Sequence, residues 1–313
     1  MSSSASFLLA DIGGTNTRIA VADAAGPFRN LQTFVNDDLN DIQAVLKDVA
    51  QSAGGPGRAV IAVAGPVEAD TFRLTNRNWS LSRTELASTL GLNDLIVVND
   101  FVAMAQSVPA LAASDVMSVG KGVGDPQGNI LVCGPGTGFG VAALVQNAGN
   151  SIALASEAGH MRLGPASAEE ESLFKRLAPS GALSIEEVLS GKGLAALHHR
   201  MEGTEHSTEI LIAAAQVGDV AAAATVAAFM RVFGRIVGDL ALAFDARGGI
   251  YIGGGVGRAL TSFFPSEPFR NALEDHPPYR ERLQAIPIHV ILHLYPGLIG
   301  ALRIARMSLA DKD

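Results

Sequence analysis

The 313-residue chain contains one cysteine, Cys133, and only 17% of its residues are charged. A single cysteine excludes both an internal disulfide and a cysteine-ligated metal cluster. Lysine and arginine form no cluster, and 31 acidic residues against 23 basic ones leave a net charge of −8. Because proteins that bind nucleic acid normally present a basic face, we expect no nucleic-acid partner.

We expect no export signal at the beginning of the chain. No basic residue precedes Phe7, and the first apolar run ends at Asp11. The alanine-rich stretch 220–244 is long enough to cross a membrane, but charged residues such as Arg231 and Asp239 interrupt it. We therefore expect a buried amphipathic helix there, no membrane association and a cytoplasmic location.

Hydrophobic residues make up 48% of the sequence, and its length suggests about two domains. Residues 59–64 form a continuous apolar run, typical of a strand buried on both faces. Residues 41–52 place apolar side chains at helical spacing, and Ser82 with Glu85 predicts a capped helix reaching Leu90. Predicted strands and helices alternate, so the fold class is α/β.

Two glycine-rich turns separate predicted strands, at residues 11–16 and 134–140. The N–H groups of such turns can surround phosphate oxygens, and Asp11 could hold an accompanying Mg²⁺ through water. Each turn is equally compatible with an ordinary hairpin. Neither opens a helix nor carries Gly-Lys-Ser/Thr, which excludes a dinucleotide fingerprint and a P-loop.

The two turns also suggest an internal duplication. Residues 7–21 and 129–143 both read as strand, glycine turn and strand when Gly14 is aligned with Gly136. The second copy has Cys133 where the first has Asp11, so we expect one architecture with different chemistry.

Asn99 and Asp100 end a short predicted strand, a position where open α/β sheets place functional groups. A carboxylate there could accept a proton from a substrate hydroxyl, with Asn99 bound to a neighbouring hydroxyl. The alternative interpretation is a cap for the helix that begins at Phe101.

Other polar residues are weaker candidates. Glu157 and His160 suit sugar hydroxyls better than zinc, because no third ligand lies at suitable spacing, but they are also compatible with a plain surface. Glu187 on its own indicates a solvated first-turn acid. Residues 253–255 are three glycines at a strand-to-helix junction, which can accommodate an anion or a flat base. Three further histidines in a charged stretch are interpreted as surface residues: His198, His199 and His206.

Together these motifs resemble the bacterial glucokinase family, within the hexokinase, actin and heat-shock-chaperone ATPase superfamily. The resemblance spans nearly the whole chain. The matching stretches are residues 11–16, 64–66, Thr75-Asn76 with Trp79, 99–101, 134–140, 157–160, 189–191, 253–255 and 296–298.

The resemblance implies a two-lobed ribonuclease-H-like (actin-like ATPase) fold with a cleft between its domains. The small domain would comprise residues 1–110 and 301–313, and the large domain residues 111–300. It also implies ATP, Mg²⁺ and a homodimer.

Residue roles follow from the same resemblance. Asp100 would be the catalytic base, and Asp11 would organise Mg²⁺, probably through water. Sugar-binding residues would be Asn99, Asp100, Glu157, His160, Glu187 and Gly138. ATP-binding residues would be Asp11, Gly13, Gly14, Thr15, Asn16, Gly136, Thr137, Gly253, Gly254 and Gly255.

The expected activity is ATP-dependent phosphorylation of D-glucose at the 6-hydroxyl. The alternatives are a kinase for mannose or fructose and a catalytically silent sugar sensor of the same fold. Ala158 stands where the family commonly has glycine, and its methyl group could narrow the sugar pocket.

Overall fold

The structure is a computed structural model that describes residues 6–67, 70–74, 79–147, 150–179 and 181–310. It divides into two compact units, one of residues 1–112 with 293–313 and the other of residues 113–292. The chain returns to the first unit at His293, so the last helix lies wholly in that unit. The boundary expected between residues 300 and 301 falls inside this helix.

The described residues of the first unit form a five-stranded sheet, a two-stranded antiparallel sheet and surrounding helices. The elements are β1 (Ser6–Ile12), β2 (Asn16–Asp23), β3 (Arg29–Val35), α1 (Ile42–Ser52), β4 (Arg58–Val63), β5 (Thr71–Arg73), β6 (Ser80–Ser82), α2 (Arg83–Leu90), β7 (Asp94–Asn99), α3 (Asp100–Ser107) and α12 (Pro296–Ala310).

The sheet of the first unit has the order β3-β2-β1-β4-β7, with β1, β4 and β7 parallel. Alternate residues of β1 enter different cores, as the two-residue period of a strand requires. Leu8 and Ile12 pack with α1 and α2 on one face. Phe7 and Leu9 pack with α12 on the other, which explains the continuous apolar runs in the central strands.

The described residues of the second unit form a six-stranded sheet, a separate two-stranded sheet and surrounding helices. The elements are β8 (Val116–Val119), β9 (Ile130–Pro135), β10 (Phe139–Asn147), β11 (Asn150–Ser156), β12 (Arg162–Leu163), α4 (Ala168–Leu177), β13 (Leu183–Ser184), α5 (Ile185–Val188), α6 (Gly191–Glu202), α7 (Thr208–Gln216), α8 (Val220–Ala243), β14 (Gly249–Ile252), α9 (Gly255–Ala259), α10 (Glu267–Glu274), α11 (Arg280–Ala285) and β15 (Ile288–Ile291). The separate two-stranded sheet consists of β12 and β13.

Helix α8 is the central helix of the second unit. It has the length and apolar composition of a membrane span, but 61% of its most apolar window is buried within the protein. Phe229 and Phe233 are fully buried and belong to the main core, where Phe233 meets Phe139 edge to face at 5.9 Å. The predicted buried helix is confirmed.

The two sheets confirm the predicted duplication of architecture. In each sheet, three consecutive antiparallel strands form one half, β1 to β3 in the first sheet and β9 to β11 in the second. Two later strands lie on the other side of β1 or β9 and run parallel to it. The spatial orders are β3-β2-β1-β4-β7 and β11-β10-β9-β14-β15. The second sheet adds β8 antiparallel to β15. The sequence did not predict the edge strands β3 and β11.

Candidate functional site

The carboxyl edge of the first sheet brings two predicted acids together. In the parallel register Ile12 pairs with Val63, and Val63 pairs with Asn99. Asp11 near the end of β1 and Asp100 just beyond β7 therefore lie at the same edge, and two strand spacings, about 10 Å, separate them across the sheet. Functional groups of open α/β sheets occupy this edge.

The carboxylate of Asp11 is largely buried but keeps some contact with solvent. Its side chain is 13% exposed, and Arg18 Nη1 lies 3.8 Å from Asp11 Oδ2. A methyl group at Gly297, in the first turn of α12, would stand 2.6 Å from the same oxygen. Desolvation by burial raises the pKa of Asp11, and the charge of Arg18 opposes that rise.

The first glycine turn is closed by a backbone hydrogen bond from Gly13 N–H to Asn16 O, 3.0 Å long. A residue that sequence reasoning missed, Asn36, contacts this turn. Its Nδ2 donates to Gly13 O at 2.8 Å and its backbone N–H donates to Thr15 O at 2.9 Å. No sequence motif marks Asn36, which follows the exposed strand β3 and is the first residue of a short 3-10 turn.

Asn99 caps α3, as the alternative interpretation of the sequence stated. Its Oδ1 accepts hydrogen bonds from the N–H groups of Phe101 at 2.9 Å and Val102 at 3.3 Å, while its Nδ2 donates to Gly65 O at 3.4 Å. Asp100 is the first residue of α3 and is half-buried, with Oδ1 accepting from Phe101 N–H at 3.0 Å. A carboxylate in the first helical turn is favoured by the helix dipole.

The carboxyl edge of the second sheet carries the other glycine stretches, which pack on one another. Gly253 N–H donates to Cys133 O at 2.9 Å. Gly254 has φ +83°, and a methyl group there would overlap Pro135 O, so both its backbone angle and this close approach require glycine. The structure thus joins residues 134–136 to residues 253–255 in one double loop.

The second glycine turn faces an acidic side chain that sequence reasoning did not single out. Glu186 Oε2 accepts a hydrogen bond from Phe139 N–H at 2.9 Å, and a methyl group at Gly138 would overlap this carboxylate. Gly159 lies against Phe139 O in the same way. The turn, the 3-10 segment Ala158–His160 and α5 therefore meet at Phe139. The only sequence feature that pointed to this contact was the pair of adjacent acids, Glu186 and Glu187.

Glu187 points elsewhere. Its Oε2 accepts from Ser184 N–H at 2.7 Å and from Ser184 Oγ at 2.8 Å, forming a capping box at the start of α5. These hydrogen bonds lower the pKa of the exposed Glu187 carboxyl. The interpretation of Glu187 as a first-turn acid describes this local geometry.

Glu157 and His160 are both exposed, with Glu157 Oε2 and His160 Nε2 3.9 Å apart. Between them Ala158 is 6% exposed and belongs to the hydrophobic core of the second unit. Its methyl group therefore contributes to core packing, and the expectation that it narrows a pocket finds no support here.

One prediction about histidines is wrong. His198 is 3% exposed, and its ring nitrogens lie 2.9 Å from Thr225 Oγ1 and 3.1 Å from Thr204 Oγ1. Two threonine hydroxyls satisfy a buried imidazole, which its charged sequence neighbourhood concealed. His206 is exposed as expected. Thr75 and Asn76, which carried part of the resemblance, lie outside the described residues.

The described residues contain no group of three or more His, Cys, Asp or Glu side chains able to hold a metal ion. Asp11 nevertheless fits Mg²⁺ that arrives with a nucleotide. Such Mg²⁺ keeps several waters and takes one or two protein carboxylates together with phosphate oxygens. A single, partly exposed carboxylate beside a glycine turn matches that donor set.

The chain is similar to known proteins over nearly its full length. The profile of the family described as Glucokinase matches residues 8–308. The chain is 36% identical over 303 residues to a glucokinase of Chromobacterium violaceum, covering 94% of this chain and 87% of that protein. It is 37% identical over 318 residues to a glucokinase of Aromatoleum aromaticum, covering 97% and 96%.

A solved structure shows the same fold. The crystal structure of a glucokinase from an Antarctic psychrotroph superposes with a TM-score of 0.83 at 32% identity, covering 96% of this chain and 98% of that one. The predicted α/β fold of the actin-like ATPase kind is confirmed by this similarity.

Proposed function

The chain belongs to the glucokinase family, and from that premise we propose that it transfers the γ-phosphoryl group of ATP to the 6-hydroxyl of D-glucose. The products are glucose 6-phosphate and ADP. The observation that carries this proposal is the register that places Asp11 and Asp100 at one carboxyl edge, beside a glycine turn.

Asp100 is the catalytic base in this proposal. Its carboxylate accepts the proton of the 6-hydroxyl as the oxygen attacks the γ-phosphorus. Because phosphoryl transfer passes through a loose transition state, modest proton abstraction is sufficient and positioning contributes most of the rate. Asn99 caps the same helix through Oδ1 and presents its Nδ2 beside Gly65, where it can also donate to a sugar hydroxyl.

The nucleotide contacts backbone and one acid. We assign the phosphates to Gly13, Gly14, Thr15 and Asn16 and to Gly136 and Thr137, and the adenosine to the three glycines 253–255. Asp11 would hold Mg²⁺ through water, and when bound this ion neutralises charge on the phosphate oxygens.

Sugar recognition involves the polar side chains of the second unit. Glu157 and His160 retain the hydroxyl-binding roles implied by the resemblance. For the third residue the geometry favours Glu186 over Glu187, because the Glu186 carboxylate lies on Gly138 while that of Glu187 is bound to Ser184. A site of paired polar groups discriminates strongly against a sugar that lacks one hydroxyl.

The remaining proposals concern the protein as a whole. We assign the two compact units to the small and large domains of a two-domain kinase. We further propose a cytoplasmic protein that acts as a homodimer at the entry to glycolysis.

The experiment that tests the reaction is ADP release with Mg-ATP across a panel of hexoses. We expect strong release with glucose and little with mannose, fructose or N-acetylated sugars. Equal or greater release with mannose or fructose would assign the enzyme to another hexose. No sugar-dependent release, with glucose binding retained in calorimetry, would identify a silent sensor and contradict the proposal.

A further inference from the structure

Asn36 is a fully buried polar residue that directly follows β3 and opens a 3-10 turn, and it makes three hydrogen bonds around the first glycine turn. Its Nδ2 donates to Gly13 O at 2.8 Å, its backbone N–H donates to Thr15 O at 2.9 Å, and its Oδ1 accepts from Thr17 Oγ1 at 2.7 Å. Thr17 is also fully buried. The side-chain amide of Asn36 therefore uses its donor on Gly13, at the start of the turn, and its acceptor on Thr17, just after the turn.

These bonds determine which way the turn presents its N–H groups. The peptides of the described chain are trans, so the C=O and N–H of each peptide point in opposite directions. The carbonyls of Gly13 and Thr15 both point toward Asn36. The N–H groups of the same two peptides, on Gly14 and Asn16, must then point to the opposite side.

We infer that Asn36 is a positioning residue for phosphate binding: it orients the peptides of the Gly13–Asn16 turn so that their N–H groups face the nucleotide. This inference rests on the proposed assignment of ATP phosphates to that turn. Asn36 touches no substrate itself. Its amide determines the direction of backbone donors, and a misdirected donor loses much of the interaction because hydrogen bonds weaken steeply with angle.

The test compares variants by calorimetric binding of MgADP, by calorimetric binding of glucose, and by thermal unfolding. Asn36→Ala removes both side-chain bonds. Asn36→Asp keeps the acceptor for Thr17 and removes the donor to Gly13, and Thr17→Val does the reverse. We expect Asn36→Ala and Asn36→Asp to weaken MgADP binding about 10- to 100-fold, with glucose binding unchanged. Thr17→Val should weaken MgADP binding much less.

Val49→Ala is the matched stability control. Val49 is 5% exposed, lies in the second half of α1 in the same unit and packs in its core. It should lower the Tm and leave the Kd of MgADP unchanged. If Asn36→Ala behaves in the same way, with a lower Tm and a Kd within twofold of the unmodified protein, Asn36 only stabilises the fold and the inference is wrong.

The same measurements separate this inference from the proposed reaction. An unmodified protein that binds MgADP but phosphorylates no sugar overturns the reaction, and the weakened MgADP binding of Asn36→Ala would still support the inference. An unmodified protein that does not bind MgADP overturns the inference.

Discussion

The two sheets of this protein share a topology but differ at the carboxyl ends of the corresponding strands β1 and β9. Strand β1 has Asp11 near its end, with a side chain 13% exposed, whereas the corresponding residue of β9 is Cys133, which is fully buried. Burial raises the pKa of the Cys133 thiol far above its usual range, so it stays a neutral core side chain. One arrangement of strands thus supports a charged edge in one copy and an apolar one in the other.

The second difference lies at the strand next to β4 in the first sheet, β7, and the strand next to β14 in the second sheet, β15. Strand β7 leads into Asn99 and Asp100, whereas β15 ends in Ile291 and continues into Leu292. The second unit instead places an acid on its glycine turn from outside the sheet, through Glu186 of α5. Shared topology therefore indicates where a site can form, while the side chains at each edge determine what it can do.

The largest expected effect comes from removing the proposed base. Asp100→Asn keeps the size of the side chain and its ability to accept from Phe101 N–H, but it cannot take up the hydroxyl proton. We expect kcat for glucose phosphorylation to fall about 10²- to 10⁴-fold, with the Tm within a few degrees of the unmodified protein. The check is ADP release beside glucose calorimetry. Full turnover in this variant would remove Asp100 from the mechanism.

Substituting each of the two aligned residues, Asp11 and Cys133, tests the difference between the sheets directly. Asp11→Asn should lower kcat/KM for Mg-ATP about 10- to 100-fold, because the proposed Mg²⁺ carboxylate is lost. Cys133→Ala should leave kcat/KM unchanged and cost about 1 kcal/mol of stability from lost packing. Equal losses of activity in both variants would mean that the sheets do not differ in function as their edges suggest.

The pH dependence of stability adds a second measurement on Asp11. Because its folded-state pKa is raised by burial, the stability that this group contributes is present at low pH and is lost as the pH rises through the raised pKa. Asp11→Asn removes that loss, so its Tm should exceed that of the unmodified protein at neutral pH. Below the ordinary pKa of aspartate the two curves should converge. A lower Tm for the variant at neutral pH would show that the Arg18 contact dominates.

A smaller effect separates two adjacent acids. Glu186→Gln should raise the KM for glucose about tenfold, since one sugar hydroxyl loses a charged acceptor. Glu187→Gln should leave that KM unchanged and lower stability by under about 1 kcal/mol, because it weakens the capping box. The stability from Glu187 is present above its ordinary pKa and is lost as the pH falls through the lowered folded-state value. A KM effect confined to Glu187→Gln would restore the assignment made from the family resemblance.

The smallest effect is expected at Ala158. Its methyl group is buried in the core of the second unit, so Ala158→Gly should cost about 1 kcal/mol in thermal unfolding. The ratio of kcat/KM for glucose to that for mannose should not change. A shift in this ratio would place the methyl group beside the sugar instead.

Several features were predictable because the signal is local. The helix within residues 41–52 and the α2 cap at Ser82 both follow from residue types at short spacing. Among the strands that were not predicted, β3 and β11 lie at sheet edges, where side chains face solvent and no apolar alternation is needed. In β11, Ile152 and Leu154 are exposed although apolar, which further obscures the pattern.

The sequence by itself determined the alternation of strands and helices, the two glycine turns, and the acids at the ends of β1 and β7. These depend on chain-local propensities, capping and the burial of apolar runs. Only the tertiary structure decided that Asn36 braces the first turn, that Glu186 rather than Glu187 faces the second, and that His198 is buried between two threonines. Each of these contacts joins residues of different elements, where loop closure and packing select the partner and no local pattern records it.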